Sequence, residues 1–407
     1  MVDEYQNALA KLHSISMFGS KPGLERIRTL LFNLGNPQND LKCILVGGTN
    51  GKGSCTSFLS DILIDSKYKT GSFFSPHIFS FRERIQINAK FISKSDFALL
   101  LDEVLSASKS LEQKPTFFET ITAMAFLCFS KNKCDYAVLE VGMGGRLDAT
   151  NICNPILSII ASISLEHTQH LGNTLEKIAF EKGGIMRKGS PVVCGADSFA
   201  QSELEKIAHE KGAIFYPINK KYLDINIRAS GTFQKKNAAL CATAASLLKI
   251  SDEKIINALS HSSIRARWEK ISSSPDIIID CAHNPRAAQE LVFDLKKDFS
   301  AKEKSSRILL FAAMKDKDYT SVLEKILPYF DSAIFCTPPM QRAQDAAVLA
   351  SAAKKISPSL ETHSFQDAKE AFAFAKKTSG KNGRILCAGS IYLLQYLFGE
   401  DEFCISG

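Results

Sequence analysis

Between Cys43 and Ser57 an apolar run, Ile44 to Val46, breaks into Gly47-Gly48-Thr49-Asn50-Gly51-Lys52-Gly53-Ser54 and resumes as a helix-like segment, Phe58 to Ile64. A strand that stops at a glycine-rich turn and continues as a helix commits this part of the chain to a sheet with a helix beside it. It also builds an anion cradle at the junction. Glycines let successive N–H groups curl around a phosphate, the helix N-terminus adds partial positive charge, and Lys52 supplies a mobile cation. The loop is a variant, because Val46 occupies the place of the usual first glycine and Gly53 pushes the Ser54 hydroxyl one position along. Such a turn can be only a tight connection, but a lysine between two glycines at the strand-to-helix switch favours a nucleotide.

The rest of the chain repeats the alternation, which predicts an α/β fold with mostly parallel sheets. Strands are expected near Ile44–Val46, Gly71–Phe74, Arg84–Asn88, Tyr136–Val141, Ile156–Ile163 and Pro191–Cys194. Helices are expected at Asp3–His13, Leu24–Phe32, Ser54–Asp65, Ser95–Ser108, Phe117–Ser130, Leu175–Phe180, Ala200–Lys211 and Gln234–Leu248, with Pro22 and Gly23 punctuating the first two. A second βα rhythm begins near Asp276, with strands Ile277–Asp280, Arg307–Phe311, Ala333–Cys336 and Arg384–Cys387 between helical patterns. A length of 407 residues is too great for one ordinary core. The expected division is a nucleotide-binding domain over residues 1–266, a serine-rich linker at 267–274 and a smaller Rossmann-like domain over 275–407.

Composition removes several classes of function. The net charge of +7 is spread along the chain without a basic, aromatic-interleaved stripe, which argues against nucleic acid. No apolar run has the length of a membrane span, and Met1 to Lys11, acidic at Asp3 and Glu4, does not read as a signal peptide. The 11 cysteines form no Cys-x-x-Cys pair and several sit in apolar runs, so a reducing cytoplasm is expected, with neither zinc site nor disulfides.

Polar groups gather where strands end. Glu140 closes an apolar strand and precedes Gly142-Met143-Gly144-Gly145-Arg146-Leu147-Asp148-Ala149-Thr150-Asn151, with three glycines in its first four residues. Ligands of open α/β sheets collect at that carboxyl edge. Glu166-His167-Thr168 follows the next strand, where a histidine is either a hydrogen-bonded loop residue or a metal or phosphate contact; Mg2+ ordinarily takes oxygen. Ser75-Pro76-His77 follows a third strand, and Arg82, Glu83 and Arg84 come soon after, facing an anionic substrate or solvent. Lys182, at a helix end, taken alone is a solvated lysine. In the second part Asp280-Cys281-Ala282-His283-Asn284-Pro285 puts Asp, His and Asn at one strand end, and Arg267 lies just before it.

In this order the segments resemble the folylpolyglutamate synthase and dihydrofolate synthase family, within the Mur ligase superfamily. The resemblance runs from Pro22-Gly23-Leu24-Glu25-Arg26-Ile27 through the glycine loop, Ser75-Pro76-His77, Phe81-Arg82-Glu83-Arg84-Ile85, Glu140-Val141-Gly142 and Gly144–Asn151. It continues through Glu166-His167-Thr168, Glu181-Lys182-Gly183-Gly184-Ile185-Met186, Asp280–Pro285 and Lys315-Asp316-Lys317-Asp318 to Gly389-Ser390-Ile391-Tyr392. It implies ATP-dependent ligation of L-glutamate to dihydropteroate, and to reduced folates through the γ-carboxylate, by way of an acyl phosphate. Thr49, Asn50, Gly51, Lys52, Gly53 and Ser54 would hold the β- and γ-phosphates. Ser75, Glu140 and His167 would ligate Mg2+, with two ions expected, the second on Lys182 once CO2 has converted it to N6-carboxylysine. Lys52, Glu140, His167 and Lys182 would form the catalytic set. Gln234 and Asn237 would lie on the adenine side, and Arg267, Asp280 and His283 would meet phosphate and ribose as the second domain closes on ATP and binds glutamate. Ser75, His77, Arg82 and Arg84 would shape the folate site. The resemblance also implies a cytoplasmic monomer.

Three positions depart from the family pattern. Glu166 stands for an aspartate, Phe233 for a polar ring before Gln234, and Ile264-Arg265-Ala266-Arg267 for a Trp-Pro-Gly-Arg sequence, which leaves Arg265 and Arg267 as competing phosphate contacts; Arg267 is preferred because Glu269 follows it in register. Two other functions compete: folate chain extension alone, or a regulator that binds nucleotide without ligation. The latter would be expected to lack Lys52, Glu140 or His167, and all three are present.

Overall fold

Two separate open sheets organise the chain in a computed structural model that describes residues 4–15, 23–228, 232–299 and 306–399. Asp3 and Pro22, expected at a helix start and a turn, lie outside the described residues. The first unit takes in the N-terminal stretch to His77, then Arg82–Arg228 and Phe233–Ser263; the second runs from Ile264 onward and includes Ile78–Phe81.

The first sheet holds β1 (Lys42–Gly47), β2 (Thr70–Phe73), β3 (Ile85–Ile87), β4 (Lys90–Phe91), β5 (Tyr136–Glu140), β6 (Leu157–Ile160), β7 (Pro191–Cys194) and β8 (Ile214–Pro217). Their order is β4-β3-β2-β5-β1-β6-β7-β8. The six strands from β2 to β8 in that order run parallel, and β3 and β4 are antiparallel at one edge. The expected strand Arg84–Asn88 is thus the first arm of a hairpin with β4. The helices are α1 (Glu4–His13), α2 (Glu25–Asn33), α3 (Lys52–Asp65), α4 (Lys94–Ala107), α5 (Phe117–Lys131), α6 (Thr168–Leu171), α7 (Leu175–Gly183), α8 (Ser198–Lys211), α9 (Thr232–Leu247) and α10 (Asp252–His261). Helix α5 is apolar on all sides, and every residue from Thr120 to Phe129 is buried, as a helix enclosed by protein requires. Its start is fixed by a capping box between Thr116 and Glu119, whose buried carboxylate also accepts from Arg26 Nε at 3.1 Å.

The second sheet contains β9 (Glu269–Ser273), β10 (Asp276–Ile279), β11 (Arg307–Phe311), β12 (Ser332–Cys336), β13 (Glu361–Phe365) and β14 (Arg384–Ala388), in the order β13-β12-β11-β14-β10-β9. Its helices are α11 (Pro285–Phe299), α12 (Tyr319–Ile326), α13 (Ala346–Ile356), α14 (Ala368–Ser379) and α15 (Ile391–Phe398). Strand parity divides the apolar runs between two cores, because successive side chains point to opposite faces. Ile278, Leu309, Phe311, Ala333, Phe335 and Leu386 pack on Leu291, Leu295, Leu323 and Leu349 of α11, α12 and α13. Ile277, Ile279, Ile308, Leu310, Ile334 and Ile385 pack on Ala371 and Ala375 of α14 and on Leu393 and Leu394 of α15. Burial on both faces is why these strands read as continuous apolar runs.

The segment expected to be a linker, 267–274, instead contains β9, which pairs antiparallel with β10. As an edge strand it is exposed at Lys270, Ile271 and Ser273, and its polar composition is that of a strand with water on one side.

Candidate nucleotide and metal site

Sheet order decides which strand ends meet. Strands β2, β5, β1 and β6 lie side by side and parallel, so the segments that follow them share one carboxyl edge. Those segments carry Ser75, Glu140, the glycine loop and Ser162 to His167.

The loop between β1 and α3 needs its glycines. Gly48 (φ +144°) passes so close to Ala161 and Ser162 that a Cβ would stand 3.1 Å from both, and Gly51 (φ +86°) is the left-handed residue before α3. A Cβ on Gly51 would stand 2.8 Å from Asn237 Oδ1, which places Asn237 against the loop; its Nδ2 donates to Gln234 Oε1 at 3.3 Å. The loop is tied to the β6 segment by Thr49 N to Ser162 O (2.8 Å), Asn50 N to Ser162 Oγ (2.9 Å), Ser162 Oγ to Asn50 O (2.9 Å) and Ser164 N to Thr49 Oγ1 (3.0 Å). The first turn of α3, with Lys52, Gly53 and Ser54, thereby offers N–H groups that have no acceptor within the helix, the arrangement that binds a phosphate.

Two lysines converge on one carbonyl. Lys52 Nζ donates to Gly48 O and Thr49 O, each at 3.1 Å, and Lys182 Nζ donates to Gly48 O at 2.9 Å. Lys182 is only 4% exposed. Burial first, and the Lys52 ammonium second, bring its amine down to about 7, against an opposing pull from Glu166 and Asp148. A lysine in the last turn of α7 is thus in part a neutral amine, unlike the solvated lysine its helix-end position suggested. Its place is fixed by close packing of two glycine motifs: a Cβ on Gly184 would lie 2.4 Å from Arg146 Cα, and Arg146 N donates to Glu181 O.

Glu140, at the end of β5, is buried, and its Oε2 accepts from Ser75 N at 3.0 Å. A Cβ on Gly53 would come within 3.5 Å of that oxygen, so the carboxylate borders the start of α3. His167 has left-handed backbone (φ +50°) ahead of α6 and is exposed. Among the described residues no three His, Cys, Asp or Glu side chains form a metal cage. The donors that do gather, a buried carboxylate beside Ser75 and an anion cradle, suit Mg2+, which binds one or two carboxylates together with phosphate oxygens and water.

Of the residues expected to shape a substrate site, Ser75, His77 and Arg84 meet, and Arg82 is engaged apart from them. Arg84 is buried; its Nε donates to His77 Nδ1 at 3.0 Å, its Nη1 reaches Ser75 Oγ at 3.4 Å, and its guanidinium lies 5.6 Å over the Phe117 ring. Burial and that arginine hold His77 well below the usual imidazole range. Arg82 Nη1 donates to Ile92 O at 3.3 Å, within its own hairpin.

In the second unit Asp280 is buried at the end of β10, where it accepts from Trp268 N (2.9 Å) and Ala282 N (2.7 Å) and faces Arg267. His283 Nδ1 lies 2.9 Å from Cys281 O. Arg265 is engaged elsewhere: it pairs with Glu269 at 2.9 Å and lies 4.5 Å over the Phe79 ring. The acid following the arginine pair therefore serves Arg265, and Arg267 is the one beside Asp280.

Nearby on α11, burial and the Asp280 and Asp298 charges push the Asp294 carboxyl up to about 7. The folded state keeps this proton while the unfolded chain loses it near pH 4, so its stability contribution falls as pH rises from about 4 to about 7. Asp294→Asn escapes that loss. Its melting temperature is expected to exceed wild type by a few degrees at about pH 8 and to match it near pH 4. An offset independent of pH would refute the assignment.

Two residues in the described site were not singled out from the sequence. Asp148 accepts from Met143 N (2.9 Å), Thr150 N (3.0 Å) and Thr150 Oγ1 (2.6 Å), holding the glycine loop after β5; Ser162 clamps Asn50. Ser162 stands just after β6, and Asp148 caps the turn Ala149–Ile152, as an aspartate two residues before a threonine can; these local signals could have marked them.

Comparison with known proteins gives two family matches: the Mur ligase middle domain over residues 46–255 and the Mur ligase glutamate ligase domain over residues 266–391. The dihydrofolate synthase/folylpolyglutamate synthase of Bacillus subtilis (strain 168) is 33% identical, covering 97% of this chain and 98% of that protein. The structure of E. coli FolC in complex with DHPP and ADP superposes with a TM-score of 0.86 at 26% identity, over 97% of this chain and 96% of that one. The bifunctional folylpolyglutamate synthase/dihydrofolate synthase of Yersinia pestis, complexed with AMPPNP and Mn ion, gives a TM-score of 0.84 at 26% identity, over 97% of each chain.

Proposed function

Because the chain belongs to the dihydrofolate synthase/folylpolyglutamate synthase family of the Mur ligases, we propose that it uses ATP to join L-glutamate to dihydropteroate and, through the γ-carboxylate, to folates. The observation that carries this reading is the convergence of Lys52 and Lys182 on Gly48 O, beside an amide-lined loop and the buried Glu140. These groups neutralise and position anions, which is what phosphoryl transfer to a carboxylate requires.

A pteroate or folate carboxylate oxygen attacks the γ-phosphorus of ATP, the bond to the β-γ bridging oxygen breaks, and ADP departs with that electron pair. The acyl phosphate so formed is attacked at its carbonyl carbon by the α-amine of glutamate, which gives up a proton, and phosphate leaves the tetrahedral intermediate. Lys52 and the loop amides hold the phosphates in line, so positioning supplies much of the rate. Mg2+, for which Ser75, Glu140 and His167 are the proposed ligands, with a second ion at a carbamylated Lys182, would neutralise phosphate charge when bound. Gln234 and Asn237 are assigned to the adenine side, Arg267, Asp280 and His283 to phosphate and ribose, and His77, Arg82 and Arg84 to the folate. The ten described cysteines are buried free thiols, which supports a reducing cytoplasm as the place of action, and a monomer is the proposed state.

Phosphate release by the purified protein with ATP, Mg2+ and L-glutamate tests the reading. Turnover is expected with dihydropteroate and with a reduced folate monoglutamate, offered separately. Turnover with folate alone would restrict the activity to chain extension, and silence with both, while ATP still binds, would overturn the ligase assignment.

A further inference from the structure

Arg267 sits between two non-glycine residues with left-handed backbone, Ala266 (φ +48°) and Trp268 (φ +47°). Side chains pay a steric penalty in that region, so a pair of such residues persists only where the surroundings fix them, and such strain concentrates at functional sites. Here both flanks are fixed. Ala266 is fully buried in the core beneath α14 and α15; its N–H donates to Glu269 Oε2 at 2.7 Å, and its carbonyl accepts from Cys281 N at 3.0 Å. Trp268 packs against the opposite core, beside α11, and its N–H donates to Asp280 Oδ2. Its indole Nε1–H donates to Asp298 Oδ2 at 2.6 Å. A charge-assisted bond of that length, made by a partly buried ring, also dictates the orientation of the ring. Arg267 is left at the crest of the turn, facing Asp280 and Glu290.

We propose that Trp268 and Asp298 are positioning residues: their hydrogen bond latches the strained turn and so presents Arg267 to the nucleotide phosphates. The inference rests on the assignment of Arg267 to phosphate. It adds to that assignment a latch on the last turn of α11, remote in sequence from the arginine it serves. Asp280 and Glu269 fix the backbone on either side of Arg267, and the indole bond ties the ring that anchors the turn to the α11 face.

The test is steady-state kinetics of the full chain with ATP varied, and melting temperature measured alongside. Trp268→Phe keeps an aromatic ring and removes the donor, Asp298→Ala removes the acceptor, and Asp298→Asn keeps an acceptor oxygen. The first two are expected to raise KM for ATP about tenfold, with kcat changed less than about threefold, while Asp298→Asn stays near wild type. In an Arg267→Ala background, Asp298→Ala is expected to add nothing, because the group it positions is gone. Trp268 is the only tryptophan of the chain, so its emission reports the latch directly. Asp298→Ala is expected to shift that emission, and Asp298→Asn is not. Additive losses in the Arg267→Ala background, or unchanged KM for ATP in both latch variants, would overturn the latch and leave the Arg267 assignment standing. An Arg267→Ala enzyme with wild-type kinetics would overturn the phosphate assignment, and the latch with it.

Discussion

Replacing Lys52 by alanine is expected to lower kcat about a thousandfold, a loss of roughly 4 kcal/mol of transition-state stabilisation. The phosphoryl group carries its charge on peripheral oxygens as it transfers, and a cation at the loop acts on that charge more than on bound ATP. ADP binding, measured by calorimetry, is expected to weaken far less, because the loop amides and the α3 N-terminus remain. Stability should hardly change. The Lys52 ammonium is partly exposed, and its two acceptors, Gly48 O and Thr49 O, lie in a loop already tied to β6 by Ser162 and Ser164. A fall of less than about tenfold, with the fold intact, would remove Lys52 from the transition state.

The second large effect is expected at Lys182. Under the proposed carbamate assignment, a side chain 4% exposed, hydrogen-bonded to Gly48 O and brought down to about 7, would supply the neutral amine that adds CO2. The nitrogen lone pair would form a bond to the carbon of CO2, one amine proton would be released to solvent, and the neutral amine would become an anion. Lys182→Ala is expected to lose about a hundredfold in kcat, with partial recovery on addition of a short carboxylate such as acetate, which can occupy the vacated space. Lys182→Arg is expected to be as poor as alanine, since a guanidinium stays charged and cannot carry the adduct. Labelled bicarbonate should give a carbamate carbon resonance in the wild-type enzyme and none in Lys182→Ala. If that resonance is missing and bicarbonate depletion leaves turnover unchanged, Lys182 acts as an amine and the carbamate assignment falls.

Much of this machinery was legible in the chain because it is local. The strand–glycine–helix run at Ile44 to Ile64 appears as β1, the loop and α3, and the second run of βα units from Asp276 appears as a doubly wound sheet. The polar strand β9 was read as linker because an edge strand with one wet face lacks the apolar run that marks its neighbours. Strand β8 is likewise half-exposed at an edge, and α15, Ile391 to Phe398, is too short for helical periodicity to separate it from a buried strand. The choice between Arg265 and Arg267 was open for a similar reason. Both stand in one charged, two-residue repeat, and only their tertiary surroundings distinguish them: Arg265 stacks on Phe79, 186 positions earlier by number, and pairs with Glu269, whereas Arg267 faces Asp280.

What the sequence determined by itself is the kind of element at each position and the residue types at the strand ends, since periodicity, turn chemistry and helix capping act between near neighbours. Tertiary structure alone decided which strand ends meet. The placing of β1 between β5 and β6 brings the glycine loop beside Glu140 and Ser162, and Lys182 reaches back 134 residues to the carbonyl of Gly48. It decided also that a helix-end lysine is buried next to another cation, and that Arg267 rides a turn latched to α11. Those facts depend on crossover connections and pairing register between distant segments, whose energies reside in the packed cores and not in any short window of the chain.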